Sequence, residues 1–183
     1  MIILGVDPGS LQTGFAVLEW NKKKIKYLAS GTLKFSKFGN FLDRIGPIYN
    51  ESISLVEKYQ PDEIALESLI YVKSPTALIK LAQARGSLCA AFSKTHAGRI
   101  FEYSPNLVKS TAVGHGHASK ESIQKFLKLL VNKDSFETFD ESDALAVAVC
   151  HALSRSDKGE AIRVKGKGRG MSKSLAHEIR KEI

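Results

Sequence analysis

Asp7, Glu67, Asp140 and Asp143 are the side chains around which a chemistry can be written. Asp7 stands where an apolar run, Ile2 to Val6, stops at the turn Asp7-Pro8-Gly9. A short apolar run bounded by turn residues reads as a buried strand, here one that ends in a carboxylate. An unpaired buried charge is expensive. Asp7 therefore either accepts backbone N–H groups in its turn or has a partner elsewhere in the chain. Glu67 closes a second run of the same kind, Asp62-Glu-Ile-Ala-Leu-Glu67. Asp140 and Asp143 lie three apart at the start of an apolar, small-residue helix, so they share a face. A helix dipole rewards acid in its first turn by about 0.3–1 kcal/mol, which accounts for one Asp more comfortably than for two.

Brought together without cations, four carboxylates would repel and some would protonate. Divalent ions remove the conflict, and an all-oxygen donor set suits Mg²⁺ or Mn²⁺. Two such ions ~3.5–4 Å apart are the device for in-line displacement at a phosphodiester, one activating water and the other stabilising the leaving oxygen. The residues alone thus imply a metal-dependent nuclease without naming its substrate.

The intervening elements must do the positioning. Gly14–Trp20 reads as a second strand, Asn21–Lys24 as a turn and Ile25–Leu33 as a third strand, an antiparallel meander. Phe41, Leu42, Ile45, Ile48, Tyr49, Ile53, Val56 and Tyr59 recur at helical spacing, and Pro61 follows as a stop. A helix between two strands of one sheet implies a right-handed crossover, making the 62–67 strand parallel to an earlier one. Placed beside the first strand, it would bring Glu67 out next to Asp7, at the ~4.8 Å spacing of neighbouring strands. Residues 74–95 read as a long helix, interrupted at Gln83-Ala-Arg85-Gly86 as for a close helix contact. Ile100–Tyr103 is a fifth strand, closed by Ser104-Pro105. Beyond it Val108-Lys109 and Gly114–Lys120 read as a small, flexible, cationic connection. Ser119 is placed to cap a helix running to about Leu130. Glycines, Lys120 and a helix N-terminus make a phosphate-binding surface. His115 and His117 suggest half a zinc site, but no Cys or third His stands at a useful spacing.

At 183 residues and 43% hydrophobic, the chain is expected to hold one domain, 1–153, with an appendage, 154–183. No apolar run approaches the ~20 residues of a membrane helix, and no secretory signal is visible. Cys89 and Cys150 lie far apart in apolar surroundings and read as reduced core residues of a cytoplasmic protein. The net charge is +8, and residues 154–183 carry nine Lys/Arg against four Asp/Glu. A basic tail with the run Gly166-Lys-Gly-Arg-Gly170 suits a polyanionic partner, most simply nucleic acid; its alternative is a solubilising tail.

Five stretches carry a resemblance: ILGVDPGSLQTGFAV at the start, PDEIALES around Glu67, LAQARG at 81–86, FEYSPNLVKSTAVGHGHASK, and DESDALAVAVCHA. In this order they resemble the RuvC crossover junction endodeoxyribonucleases, over residues 1 to about 152. The resemblance implies an α/β, RNase H-like fold: a five-stranded mixed sheet, three antiparallel strands then parallel additions, flanked by helices. It implies a homodimer that resolves Holliday junctions in recombination and DNA repair. Paired symmetric nicks in opposing strands would leave 5′-phosphate and 3′-hydroxyl ends. RuvA and RuvB, the branch-migration proteins, are implied partners, and two Mg²⁺ per site, replaceable by Mn²⁺, the implied cofactor. The family's acidic positions fall on Asp7, Glu67, Asp140 and Asp143; some members have His at the third, where this chain keeps Asp. Its two important lysines fall on Lys109, implied to contact the backbone near the scissile phosphate, and Lys120, implied in catalysis and DNA binding. Lys73 and Arg85 join the implied DNA contacts. The family's base-stacking aromatic aligns with Ile70, and Tyr71 follows one residue later, either as its replacement or facing the core.

Three rival readings stand beside this one. An ATPase of the actin and sugar-kinase type shares an Asp-x-Gly hairpin but needs two lobes, for which the chain is short. Against an RNA-directed nuclease of the same fold, the Lys109–Lys120 segment and the Asp140/Asp143 spacing favour RuvC. A junction-binding protein without catalysis would be disfavoured by an intact acidic cluster close to phosphate.

Overall fold

The computed structural model describes residues 1–21, 24–69, 74–113 and 120–156. Their strands form one five-stranded sheet: β1 (Ile2–Asp7), β2 (Gln12–Trp20), β3 (Ile25–Lys34), β4 (Glu63–Glu67) and β5 (Ile100–Tyr103). The spatial order is β3-β2-β1-β4-β5. The first three strands pair antiparallel, while β4 lies parallel to β1 and β5 parallel to β4. The expected meander and crossover are both present.

Strand alternation divides the core in two. Ile3, Ala16, Leu18, Ala65 and Tyr103 face one side, against helices α3 (Pro105–Val113), α4 (Lys120–Val131) and α5 (Phe139–Ser156). Leu4, Val6, Val17, Ile64 and Leu66 face the other, against α1 (Phe41–Tyr59) and α2 (Pro75–His96). Because side chains alternate along a strand, Asp7 shares its face with Ile3, and Glu67 shares its face with Ala65. Both carboxylates therefore leave the sheet on the α5 side.

α5 lies nearly on the sheet backbone, which its small residues Ala144, Ala148 and Ala152 allow; all three are fully buried. Two glycines make room for it. A Cβ at Gly5 would fall 2.4 Å from the Ala144 carbonyl oxygen, and one at Gly14 1.9 Å from that of Asp140. No side chain fits at either point.

Two expectations need correction. The segment after β5 is a helix, α3, where a flexible connection is expected at Val108-Lys109. Ser104-Pro105 starts it instead of merely closing the strand: the Leu107 N–H donates to Ser104 Oγ at 3.3 Å, and Pro105 takes the first helical position. Val108 is buried against α5. The second correction is confined to Gly86. Helix α2 runs unbroken through Gln83–Gly86, and Ala84 packs fully buried into the core there, as a close contact requires. A Cβ at Gly86, however, would meet nothing within 4 Å. With Gly46, Leu42 and Tyr49 of α1, Gly86 lines a surface groove of about 690 Å³ between the helices. Helix α5 continues to Ser156. The 157–183 segment, His115 and His117 lie outside the described residues, as does the Ser119 cap expected for α4.

Candidate active site

Backbone register builds the site. Val6 pairs with Leu66 in the parallel β1–β4 ladder, so the next residue of each strand is an acid, Asp7 beside Glu67. On the other flank of β1, Asp7 pairs with Gly14 of β2. The missing side chain of Gly14 admits the first turn of α5, with the Asp140 carbonyl against its Cα. Asp143 follows one turn on, immediately before Ala144, which covers Gly5. The four carboxylates thus come from two adjacent strand ends and the helix that crosses them. All four are half-buried.

Gln12, at the start of β2, donates its Nε2–H to Asp140 Oδ2 at 2.6 Å. A ligand carboxylate held through one oxygen is oriented for use of the other. Sequence reasoning missed Gln12, since a lone Gln in a loop carries no signal. It also missed Glu141, which sits between the two aspartates. Glu141 is 1% exposed. Its Oε1 accepts from the Ser30 hydroxyl and from Lys133 Nζ (2.5 Å), and its Oε2 from the Glu137 N–H (2.7 Å). Burial pushes its carboxyl up, but the Lys133 and Ser30 hydrogen bonds, with the Glu137 N–H and the Lys133 charge, hold it below the usual range. The pattern Thr138-Phe-Asp-Glu141 before an apolar run is a capping-box signature and could have flagged it. The Glu141 N–H donates to Thr138 Oγ1 at 3.1 Å.

The other expected residues are placed as follows. Lys109 is on α3 and half-buried. That helix starts at the same sheet edge, because Tyr103 at the end of β5 pairs with Glu67. Lys120 is the first residue of α4. Arg85 is on α2 and forms an ion pair with Glu102, on the opposite side of the sheet from the carboxylates, and is not brought together with them. Tyr71, Lys73 and Ile70 lie outside the described residues.

The donor set is all oxygen and half exposed, which fits hard divalent cations and excludes a thiolate or imidazole site. Among the described residues, no three His, Cys, Asp or Glu side chains already enclose one point as ligands. Carboxylates brought together repel one another, so the side chains need not close as they would on a cation.

A mixed sheet in this order, with acids on two central strand ends and on the helix crossing them, defines an RNase H-like fold of the metal-dependent nuclease class. The family described as "Crossover junction endodeoxyribonuclease RuvC" matches residues 3–151. A crossover junction endodeoxyribonuclease RuvC from Sinorhizobium medicae is 39% identical over 154 residues, covering 84% of this chain and 91% of that protein. One from Hydrogenovibrio crunogenus is 39% identical over 150 residues, covering 81% and 86%. Among solved structures, Thermus thermophilus RuvC in complex with a Holliday junction substrate superposes with a TM-score of 0.77 at 26% identity, covering 85% of this chain and 95% of that one. The chain belongs to the RuvC family.

Proposed function

We propose that this protein resolves Holliday junctions by metal-dependent phosphodiester hydrolysis, nicking opposing strands symmetrically and leaving 5′-phosphate and 3′-hydroxyl ends for recombination and repair. The observation that carries the reading is the register of β1 on β4, which sets Asp7 beside Glu67 under the first turn of α5. It is supported by family membership and by the junction bound to the T. thermophilus relative.

Asp7, Glu67, Asp140 and Asp143 would hold two Mg²⁺, or Mn²⁺, which would supply activation of water and neutralisation of the leaving 3′ oxygen. Gln12 keeps Asp140 turned for that purpose. Lys120, at the start of α4, and Lys109, on α3, are assigned to phosphate near the cut, and Lys120 also to catalysis. Tyr71 and Lys73 are further DNA contacts in this reading, Tyr71 by stacking on a base. Arg85 would reach DNA only by giving up Glu102. Residues 1–153 form the nuclease domain. The basic stretch from 154 adds sequence-independent phosphate contacts, so deleting 157–183 should flatten the salt dependence of junction binding; an unchanged slope would refute this role.

Symmetric nicking needs two sites, hence a homodimer. The exposed Leu42 (74%) and Ile79 (58%) beside the α1–α2 groove support a dimer surface there. RuvA and RuvB complete the proposed partners. No helix among the described residues is long and apolar enough to cross a membrane, which is compatible with work on cytoplasmic DNA.

The test is to give the protein a synthetic four-way junction, a linear duplex and a structured RNA, each with Mg²⁺ or Mn²⁺. Paired, ligatable nicks confined to the junction and lost in Asp7→Asn are expected. Tight binding without cleavage, or cleavage of the RNA, would overturn the proposal.

A further inference from the structure

Between the two aspartates of α5 lies a third acid that the proposed chemistry does not use. The side chain of Glu141 is more deeply buried than any of the four ligand candidates, and both its oxygens are occupied. It is therefore not available as a fifth ligand. Its partners come from two places. Ser30 belongs to β3, the far edge strand, while Lys133 and Glu137 belong to the connection between α4 and α5.

That connection is shaped to deliver Lys133. Asn132 takes the left-handed conformation (φ 52°), and the Lys133 N–H donates to the Lys128 carbonyl at 3.1 Å. Together these form the Schellman ending of α4. The turn points the lysine back at β3, where Nζ also donates to Ser30 Oγ (3.0 Å) and Tyr27 Oη (3.3 Å). The ammonium lies over the rings of Tyr27 and Phe136, at 5.4 and 5.2 Å. Thr138, the N-cap, is tied to the same strand through Thr32, Oγ1 to Oγ1 at 2.6 Å. The first turn of α5 is thus fastened to β3 by a buried carboxylate and a capping hydroxyl.

Asp140 and Asp143 ride on that turn, whereas Asp7 and Glu67 ride on β1 and β4. Any rotation or slide of the turn moves the helix pair relative to the strand pair. We propose that Glu141, with Lys133 as its counter-ion, is a positioning residue that sets the helix-borne carboxylates against the strand-borne ones for metal binding and cleavage. The inference rests on the metal-site reading above.

The test uses the full chain carrying Glu141→Ala, Glu141→Gln or Lys133→Met. Three quantities are measured: single-turnover cleavage of saturating junction over a range of Mg²⁺, Mn²⁺ binding to the free protein by calorimetry, and thermal stability. Groups that orient metal ligands typically contribute 10–100-fold to affinity or activity, so Glu141→Ala should lower the rate roughly tenfold or more and weaken Mn²⁺ binding. Junction affinity should stay within about twofold, since no DNA contact is assigned to Glu141. Glu141→Gln keeps the acceptor for Ser30 and should recover part of both losses. A Glu141→Ala protein that melts earlier but cuts and binds Mn²⁺ as wild type would show a purely structural anchor and overturn the proposal. Should that variant not fold, Lys133→Met, which leaves the Glu137 and Ser30 contacts in place, decides by the same two readouts. Wild type that binds Mn²⁺ but cuts no junction would refute the functional reading instead, leaving the calorimetric comparison to judge Glu141.

Discussion

Glu63 and Glu67 stand at the two ends of β4, on the same face of the sheet and under the same helix. Their surroundings differ completely. Glu63 is 7% exposed and enclosed by partners. His151 Nε2 lies 2.6 Å from its Oε2, Arg155 adds an Nε contact at 2.9 Å and an ion pair, and the Tyr103 hydroxyl reaches His151 Nδ1 at 2.6 Å. Glu67 is half-buried and has other acids as its neighbours in register and across the first turn of α5. One end of the strand and helix holds a buried ion pair, and the other brings several acids together. The same residue type on the same face is a structural ion pair in one place and a metal-ligand candidate in the other. The difference lies in what α5 supplies: His151 and Arg155 near its C-terminal end, Asp140 and Asp143 at its start.

The strongest way to break this comparison is to neutralise the acidic end. Replacing a metal ligand removes several kcal/mol of transition-state stabilisation, roughly 10²- to 10⁴-fold in rate. Asp7→Asn should therefore abolish most cleavage in a single-turnover assay of the folded protein; cleavage at the wild-type rate would contradict the metal-site reading.

A smaller effect is expected where the two ends are held in register. Gly14→Ala would place a methyl 1.9 Å from the Asp140 carbonyl oxygen and lift the first turn of α5. Overpacking costs about 1–3 kcal/mol, and a displacement near 1 Å can cost about 10²-fold in rate. The folded fraction, fixed by urea unfolding, should still cleave about 10²-fold more slowly in a single-turnover assay. A folded fraction that cleaves at the wild-type rate would contradict the register account.

The ion-paired end should show itself in acid. Burial holds His151 down at about 4, from 6.5, so it is neutral and donates to a Glu63 already balanced by Arg155. Between those values the unfolded chain binds the extra proton, so this contribution to stability is complete above 6.5 and declines as pH falls toward 4. The slope is at most about 1.4 kcal/mol per pH unit for one proton. Urea midpoints of His151→Gln should fall less steeply over this range than those of wild type. Parallel curves would contradict the assignment.

Much of the acidic end was readable in the sequence, because it depends on local rules. Apolar runs ending in acid located Asp7 and Glu67, one helix between strands required the parallel crossover, and a three-residue spacing paired Asp140 with Asp143. The ion-paired end was not, because Glu63, Tyr103 and His151 meet only through the fold; the distance between Glu63 and His151 in sequence is 88 residues. Ser104-Pro105 serves equally to end a strand and begin a helix, and here it does both. In Asp140-Glu-Ser-Asp143, helical spacing selects the outer two acids and is silent on Glu141, whose place is decided by a lysine delivered from the connection between α4 and α5. Gln12 acquires meaning only when α5 is laid across β2.

The most direct test compares Glu67→Gln with Glu63→Gln, measuring single-turnover junction cleavage and unfolding free energy for each. The account predicts that the folded fraction of Glu67→Gln cuts at least about 10²-fold more slowly. Glu63→Gln should lose stability, since breaking a buried pair costs about 3–5 kcal/mol at most, while its folded fraction cuts at the wild-type rate. Cleavage lost equally in both, or retained by Glu67→Gln, would contradict the division of β4 into a structural and a catalytic end.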